Sequence, residues 1–398
     1  MSNNLPSKIL VIDDDQMVVN QAEQLLKNFK VQVEKATNLE TTLYMFNQKK
    51  YDAVIIEMEF EELPGTVITQ KFRSSEYSNK KNTPIVISTG IQRNAGETAL
   101  ITELGDITLI PKPFQIASLL SALSKSLVTG LNRATMDEAI NKVIGPLQSQ
   151  GKHEKAISIA KAKLLPMGSK GKYETALIME KAGEYEQAIA LLSELTEAEP
   201  NNMKYVNALA RMYTATGNLT KARHYYERAD DMAPDNLARL TEMAGLYLAL
   251  KEPEKSVEKY SKILSLNPDQ PELKFKVYQE LFEGGFESHA QELCKQTSTP
   301  LELIRHFNNK GVMLSKEKEF EQAIAEYQKA RNLIPQSKEL YRILYNMAIA
   351  HINLKTKENI TSAHDLLNEV LTLNPTYDKA KEKLEITGKA LGKKGLTA

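Results

Sequence analysis

Residues Tyr51–Gly65 read YDAVIIEMEFEELPG, and this stretch decides the fold of the N-terminal part of the chain. The apolar run from Ala53 to Ile56 predicts a buried strand, because a parallel strand covered on both faces is apolar throughout. Glu57 follows at once, so its carboxylate is expected at the carboxyl end of that strand. In an open parallel sheet, ligands bind in the crevice beyond these ends. The side chain at position 57 therefore determines what chemistry this part of the chain can perform.

Short apolar runs alternate with segments of helical period on both sides of this stretch. Such alternation predicts a parallel sheet with helices on both faces. The predicted strands are residues 9–12, 31–34, 53–56, 85–88 and 107–110. The predicted helices are residues 16–29, 38–49, 65–75, 95–104 and 115–127. The expected fold of residues 1–128 is thus an α/β, doubly wound, five-stranded parallel sheet of flavodoxin-like strand order.

Five landmarks in this region resemble a response-regulator receiver domain in their order and spacing. They are KILVIDDD at 8–15, YDAVIIE at 51–57, Gly65, PIVISTG at 84–90 and IPKPF at 110–114. The resemblance covers roughly the first third of the chain. It implies a receiver-like fold and a pocket for a phosphoryl group at the carboxyl edge of the sheet.

The resemblance also assigns roles to individual side chains. Asp13 and Asp14 match the acidic pair that holds a divalent cation, and Glu57 stands where the family has the phospho-acceptor aspartate. Thr89 matches the switch hydroxyl and Lys112 the lysine that contacts phosphoryl oxygens. Magnesium prefers carboxylate oxygens, and such a cation neutralises charge on a transferring phosphoryl group, so these residue types suit the implied roles.

The replacement of the acceptor aspartate by Glu57 is the main departure from the family pattern. The extra methylene moves the carboxylate outward by about 1.5 Å. Phosphoryl transfer tolerates little misplacement, so ordinary phosphorylation at this position is not expected. Glu57, Glu59, Glu61 and Glu62 also gather negative charge in one loop, which would repel a phosphoryl donor unless a cation is bound.

Three interpretations of this domain remain open. In the first, the pocket is vestigial, as in a degenerate receiver whose surface binds a partner. Alternatively, Glu57 imitates the phosphorylated state, although one charge and two oxygens imitate a phosphate only partly. In the third interpretation another carboxylate, Asp14 or Asp52, accepts the phosphoryl group.

Residues 137–376 carry an internal period of 34 residues. Small residues, aromatic residues and a closing proline recur at fixed places, as in Ala210, Tyr213, Ala222, Tyr226 and Pro234. This pattern resembles the tetratricopeptide repeat, which implies about seven helix–turn–helix units in a superhelix with a concave groove. Glycines at 151, 183, 217 and 285 are predicted to form the turns between paired helices. Residues 129–136 are predicted to be a connector, and 377–398 a capping helix and tail.

Polar side chains directed away from the packing positions are candidates for a peptide groove. They are Lys204, Asn207, Arg211, Glu242, Arg305, Asn308, Arg342 and Asn346. The asparagines could bond a peptide backbone and the arginines could take carboxylates. A plain solvated surface is an equally good interpretation of each one taken singly.

The 398 residues carry 51 basic and 51 acidic side chains, so broad attraction to nucleic acid or to an anionic membrane is not expected. The single cysteine, Cys294, permits no intrachain disulfide and fits a reducing compartment. The N-terminus lacks the layout of a secretory signal, and no apolar run reaches the length of a membrane span. These features favour a soluble, cytoplasmic protein, and the function predicted next assumes a bacterial cytoplasm.

The function predicted from the sequence is a non-enzymatic signal-transduction adaptor, in which a pseudo-receiver is coupled to a repeat scaffold that binds proteins. The alternative is a two-component response regulator that responds to phosphorylation and uses the repeats as its output domain. Partners are expected to be proteins, bound by the groove and by the receiver surface, and the sequence leaves a dimer open. No cofactor is required, although Asp13 and Asp14 could hold Mg²⁺.

Overall fold

The computed structural model describes residues 5–74, 80–90 and 95–392. The chain divides into two compact units, Met1–Leu250 and Lys251–Ala398. The first unit contains a parallel sheet, its covering helices and the first repeats. The second unit is helical.

The sheet of the first unit has five strands. They are β1 (Lys8–Ile12), β2 (Gln32–Ala36), β3 (Ala53–Glu57), β4 (Ile85–Thr89) and β5 (Ile107–Pro111). All neighbours pair in parallel, in the order β2-β1-β3-β4-β5. All five residues of β3 are buried, as expected for a central strand covered on both faces. The predicted doubly wound fold is confirmed.

Five helices connect and cover these strands. They are α1 (Gln16–Leu26), α2 (Leu39–Gln48), α3 (Gly65–Arg73), α4 (Ala95–Leu104) and α5 (Ile116–Val143). Asp15 caps α1, because its carboxylate accepts a hydrogen bond from the backbone amide of Met17 at 2.8 Å. The acidic run that begins at Asp13 therefore also serves the helix that follows it.

The predicted connector, residues 129–136, is helical and lies inside α5. Gly130, within this segment, does not interrupt the helix. In the structure a Cβ at Gly130 would come within 2.7 Å of a ring carbon of Pro84, so this glycine allows α5 to approach the start of β4 closely. A glycine inside a helix costs only about 1 kcal/mol relative to alanine, which does not stop the helix.

Helices α6 to α12 complete the first unit. They are α6 (Gly145–Ser149), α7 (His153–Lys163), α8 (Ser169–Ala182), α9 (Tyr185–Ala198), α10 (Met203–Ala215), α11 (Leu219–Met232) and α12 (Leu237–Ala249). Consecutive helices pack against each other, as the 34-residue period requires. The alanines of the repeat pattern, such as Ala210 and Ala222, are fully buried, and Tyr226 packs beside them.

The second unit contains eight α-helices and a short 3₁₀ helix, Lys338–Leu340, among its described residues. They are α13 (Pro253–Ser265), α14 (Leu273–Glu283), α15 (Glu287–Thr297), α16 (Pro300–Lys316), α17 (Phe320–Leu333), α18 (Tyr341–Leu354), α19 (Lys357–Leu373) and α20 (Asp378–Ala390). The pairs α14/α15, α16/α17 and α18/α19 pack together, and α20 packs on α19 as a terminal helix. Cys294 is buried in α15, and burial raises the pKa of its thiol to about 11.

The predicted turn glycines have left-handed backbone conformations. Gly151, Gly183, Gly217 and Gly285 have φ angles of 71°, 79°, 76° and 85°. Lys251, which occupies the same repeat position as Gly217, also has a positive φ of 62°. The repeat geometry therefore imposes this conformation even where a side chain makes it less favourable.

The sheet part and the repeats of the first unit share a small apolar core. Leu100 of α4 packs among Met203 and Val206 of α10 and Ala229 and Ala233 at the end of α11. Within the described ranges, the helices lack the combination of length and hydropathy that a membrane span needs. The sequence did not predict how the sheet meets the repeats, and the structure places α4 at this junction.

Candidate functional site

The carboxyl edge of the sheet brings together the side chains that the sequence singled out. Glu57 is the last residue of β3 and Thr89 the last of β4, while Asp13 follows β1 and Lys112 follows β5. The backbone amide of Lys112 donates to the carbonyl oxygen of Thr89 at 2.9 Å, which fixes the start of the loop after β5. The next peptide bond, Lys112–Pro113, is cis.

Lys112 pairs with two carboxylates in this pocket. Its Nζ contacts Oε1 of Glu57 and lies 3.2 Å from Oδ2 of Asp13. Glu57 and Asp13 are only 6% and 1% exposed. The other carboxylate oxygen of Glu57, Oε2, is buried and has no hydrogen-bond partner within the described part of the chain. Buried polar atoms are nearly always satisfied, so this oxygen marks a place for a further ligand.

The pocket residues suit a divalent cation. One carboxylate oxygen from each of Asp13, Asp14 and Glu57 can be chosen so that the three lie within 4.8 Å of one another. Hard cations such as magnesium take carboxylate oxygens, and the unpaired oxygen of Glu57 is available to one. Burial raises the pKa of Glu57, Lys112 opposes this rise, and the neighbouring carboxyl groups of Asp14 and Asp13 add to it. A cation here would favour the ionised form and neutralise the excess of acids over the single lysine.

Backbone contacts hold Glu57 at the edge of the sheet. The amide of Met58 donates to the carbonyl oxygen of Ser88 at 2.8 Å, and the amide of Gly65 donates to that of Met58 at 2.8 Å. A Cβ at Gly65 would lie only 2.1 Å from the carbonyl oxygen of Glu57. The loop between β3 and α3 therefore closes tightly behind the pocket, and this approach requires glycine.

The loop after β3 also makes contacts outside the pocket. Oε1 of Glu62 accepts from the backbone amide of Leu39 at 2.8 Å, at the start of α2. Oδ2 of Asp14 accepts from the backbone amide of Glu61 at 2.9 Å. Glu59, Glu61 and Glu62 are exposed, so the loop does not concentrate all of its charge on the pocket as the sequence suggested.

Asp52, one of the alternative acceptors, lies at the opposite end of β3 from Glu57. Its Oδ2 accepts from the backbone amides of Ser7 and Lys8, at 2.8 and 2.9 Å. These bonds fix the start of β1. Asp52 is therefore separated from Asp13 and Lys112 by the length of the strand, whereas Asp14 remains beside them.

The groove candidates of the first unit are engaged within that unit. Arg211 forms two hydrogen bonds of 3.0 Å with the carboxylate of Glu180 and lies 3.8 Å from Glu242. Asn207 is only 8% exposed, and its amide nitrogen donates to Glu103 of α4. Lys204 is half-buried beside the end of α4. Asn207 thus faces the sheet domain and not an open groove, because α4 covers this end of α10.

The four candidates of the second unit lie on α16 and α18. The amide nitrogen of Asn346 donates to Oδ1 of Asn308 at 2.7 Å, so the structure brings these two together. Arg342 is exposed and lies 3.5 Å from Glu339. Arg305 is exposed and lines a cavity of about 500 Å³ with Phe275 and His306, among others.

A buried polar network between α4 and the repeats was not predicted. Nη1 of Arg239 lies 3.0 and 3.1 Å from the two carboxylate oxygens of Glu103. Asn207 and Asn236 both donate to Oε1 of Glu103, the latter at 2.7 Å. The side chains of Arg239 and Glu103 are 0% and 4% exposed. Burial raises the pKa of Glu103, against the charge and hydrogen bonds of Arg239 and the hydrogen bond of Asn236.

The repeat period contains a signal that could have revealed this network. Arg239 occupies the repeat position that holds Tyr205 one unit earlier and Leu273 one unit later. A charged residue where neighbouring copies have large, less polar ones requires a specific partner if it is buried. The period does not say that the partner lies outside the repeats, because Glu103 belongs to a different fold.

Comparison with protein families identifies both parts of the chain. A family described as the response regulator receiver domain matches residues 9–124. The tetratricopeptide repeat matches residues 173–236 and residues 213–274. The fold and the pocket define a receiver domain followed by helical repeats, as the sequence predicted. The chain accordingly carries a response-regulator receiver domain at its N-terminus and tetratricopeptide repeats downstream.

Individual relatives match one part of the chain at a time. The chemotaxis response regulator CheY4 of Vibrio cholerae is 22% identical, with a TM-score of 0.28, over 30% of this chain and 98% of that one. A tetratricopeptide repeat protein from Parabacteroides merdae ATCC 43184 is 16% identical, with a TM-score of 0.32, over 55% of this chain and 98% of that one. BBSome complex member BBS4 of Bos taurus is 24% identical over 200 residues, which are 48% of this chain and 36% of that protein. The chain thus spans little more than a third of that relative.

The combination of a receiver domain with tetratricopeptide repeats indicates a signalling protein that carries a scaffold for protein interactions. The two parts are joined in the first unit by α4 and its buried contacts with α10 and α11.

Proposed function

We propose that this protein is a non-enzymatic signal-transduction adaptor, in which a pseudo-receiver is coupled to a tetratricopeptide scaffold that binds other proteins. The observation that carries this proposal is the residue at position 57 and its contact with Lys112. A glutamate stands where receiver domains have the acceptor aspartate, and its Oε1 already pairs with Lys112. The longer side chain and this contact leave little room to position the carboxylate for attack on a phosphoryl donor.

The receiver pocket on this view binds a divalent cation without passing on a phosphoryl group. Asp13, Asp14 and the unpaired oxygen of Glu57 would hold the cation. The signal would then be carried by protein contacts of the receiver surface and of the repeats. Groove candidates Arg305 and Arg342, both exposed in the second unit, are available for acidic partners.

The alternative is a response regulator that is phosphorylated and uses the repeats as its output. Retention of the whole acidic cluster with Lys112 favours this second candidate. Asp14 is exposed and next to the cluster, which makes it the better placed of the two alternative acceptors. If Glu57 instead imitates the phosphorylated state, its charge and not its reactivity would matter.

Incubation of the full chain with acetyl phosphate and Mg²⁺, followed by intact-mass measurement, separates the two candidates. The adaptor is expected to gain no phosphoryl mass. Glu57→Asp is expected to gain one phosphoryl group, because Asp13, Asp14 and Lys112 remain in place, whereas the matched variant Glu57→Gln is expected to gain none. Magnesium-dependent phosphorylation of the natural chain would overturn the proposal, and mass mapping of its proteolytic peptides would then locate the acceptor.

A further inference from the structure

Glu103 of α4 is bound by side chains of the repeats, and other contacts within the repeats hold those side chains in place. The guanidinium of Arg239 lies 3.3 Å from Oδ1 of Asp230 on α11 and also donates to the carbonyl oxygen of Ala233. These contacts do not involve α4. Arg239 therefore keeps a counter-ion and a fixed orientation whether or not Glu103 is present.

The two asparagines are also fixed by contacts within the repeats. Oδ1 of Asn236 accepts from the backbone amide of Arg239 at 3.0 Å and so caps α12. Oδ1 of Asn207 accepts from Nη1 of Arg239 at 3.3 Å. With both oxygens used in this way, both amide nitrogens are free to donate to one carboxylate. The repeats thus present three aligned donors, a preorganised receptor for a carboxylate.

An apolar pocket lies next to these donors. Leu100, one helical turn before Glu103, packs among residues of α10 and α11. These residues are Met203, Val206, Ala229 and Ala233. The surface therefore recognises a leucine and a glutamate three residues apart on the same face of a helix.

Helix α4 is divided between two sets of neighbours. It packs on α3 and β5 of the receiver domain and on α10 and α11 of the repeats. The polar bonds of the Glu103 carboxylate described above all go to the repeats. An outside helix with the same two side chains would therefore compete with α4 directly.

We propose that Asn207, Asn236 and Arg239 form a binding site for a helix of a partner protein that presents leucine and glutamate three residues apart, and that α4 fills this site in cis. The inference rests on the proposed adaptor function, to which it adds the chemistry of the partner. The receiver domain then controls the scaffold by occupying one of its sites. Release of α4 would open that site, and docking of α4 would close it.

The binding of a peptide to the full chain and its variants tests this proposal. The probe is a fluorescent peptide with the sequence of residues 95–106, AGETALITELGD, blocked at both ends, and its binding is followed by anisotropy. In Glu103→Lys the new cation opposes Arg239 and should release α4. This variant is expected to bind the peptide at least tenfold more tightly than the natural chain. A peptide in which the internal glutamate that corresponds to Glu103 is replaced by glutamine should bind at least tenfold more weakly to the same variant.

Two controls keep the outcome clear. Glu103→Gln, which keeps the shape of the side chain, should lie between the natural chain and Glu103→Lys, and helicity measured by circular dichroism shows that each variant is folded. Equal binding of the glutamate and glutamine peptides, or no binding by either folded variant, would overturn the proposal. Self-association of Glu103→Lys without peptide binding would identify a second copy as the occupant and also overturn it. Since no phosphoryl donor is present, none of these results depends on the phosphorylation test.

Discussion

Two buried carboxylate–cation pairs of the first unit differ in how completely they are satisfied. At the junction with the repeats, both oxygens of Glu103 have partners, and Arg239 has a second acid, Asp230. In the receiver pocket, Lys112 is shared between Glu57 and Asp13, and Oε2 of Glu57 has no partner among the described residues. The first arrangement is complete within the chain. In the second, one carboxylate oxygen is left for a ligand from outside, whereas in the first α4 of the same chain supplies the carboxylate.

The largest effect on stability is expected at the Glu103–Arg239 pair. Arg239→Leu leaves Glu103 buried without its cation, and removing one partner of a buried pair costs about 3–5 kcal/mol. The measurement is urea unfolding of the full chain, followed in the transition that reports the first unit. The double variant Glu103→Leu with Arg239→Leu should lose less stability than Arg239→Leu alone, because the deeply buried carboxylate is then removed together with its cation.

Arg223→Leu is the matched control for this experiment. Arg223 pairs with Glu227 at 2.9 Å in the same unit, but both side chains are about one third exposed. Such a surface pair contributes only about 0.3–0.5 kcal/mol. If Arg239→Leu lowered the free energy of unfolding no more than Arg223→Leu, the Glu103–Arg239 pair would not be buried in solution. The contrast with the receiver pocket would then fail.

The next prediction concerns the receiver pocket, where Lys112 pairs with Glu57 and Asp13, and the binding of Mg²⁺ there. Mg²⁺ should raise the unfolding temperature of the natural chain, because a ligand present at 100 times its dissociation constant stabilises the native state by about 2.7 kcal/mol. Asp13→Asn should abolish this shift, since Asp13 belongs to the cluster of three acids. Differential scanning fluorimetry with and without a chelator measures the shift of the unfolding temperature that Mg²⁺ causes. A shift of equal size in Asp13→Asn would show that the cation binds elsewhere.

The matched variant for the cation experiment is Asp52→Asn. Asp52 is also an acid of the receiver domain, but it lies at the other end of β3 and accepts from two backbone amides. Its replacement should lower the unfolding temperature slightly and leave the shift caused by Mg²⁺ unchanged. If Asp52→Asn also lost the shift, Mg²⁺ would act through the general acidic charge of the domain and not through a defined binding site.

The pocket and the junction also differ in how far the sequence could predict them. The residues of the pocket were assigned from the resemblance to receiver domains, and the parallel sheet brings Asp13, Glu57 and Lys112 to one edge. Only the position of Glu57 at the end of a strand followed from the local pattern. The acids around it were less well predicted, since the backbone contact of Glu61 and the side-chain contact of Glu62 depend on loop geometry that the strand pattern does not fix.

The junction could not be predicted in the same way, because it joins two folds with unrelated periods. Asn207 was assigned to a groove on helical spacing alone, and only the position of α4 shows that it is covered. The 34-residue period marks Arg239 as unusual but cannot supply Glu103 as its partner. Likewise the connector predicted at residues 129–136 lies inside α5, where Gly130 allows a close approach to Pro84.

The smallest expected effect tests the backbone behind the pocket. Gly65→Ala would place a Cβ at 2.1 Å from the carbonyl oxygen of Glu57, so the end of β3 must shift at a cost of about 1–3 kcal/mol, and affinity for Mg²⁺ should fall with it. Gly245→Ala in α12 is the matched control, since a Cβ there meets nothing within 4 Å and the helix should gain up to about 1 kcal/mol. Unfolding and cation titration of both variants give the comparison. If Gly65→Ala bound Mg²⁺ as tightly as Gly245→Ala, the position of Glu57 would not control the pocket, and its unpaired oxygen would no longer argue for a ligand.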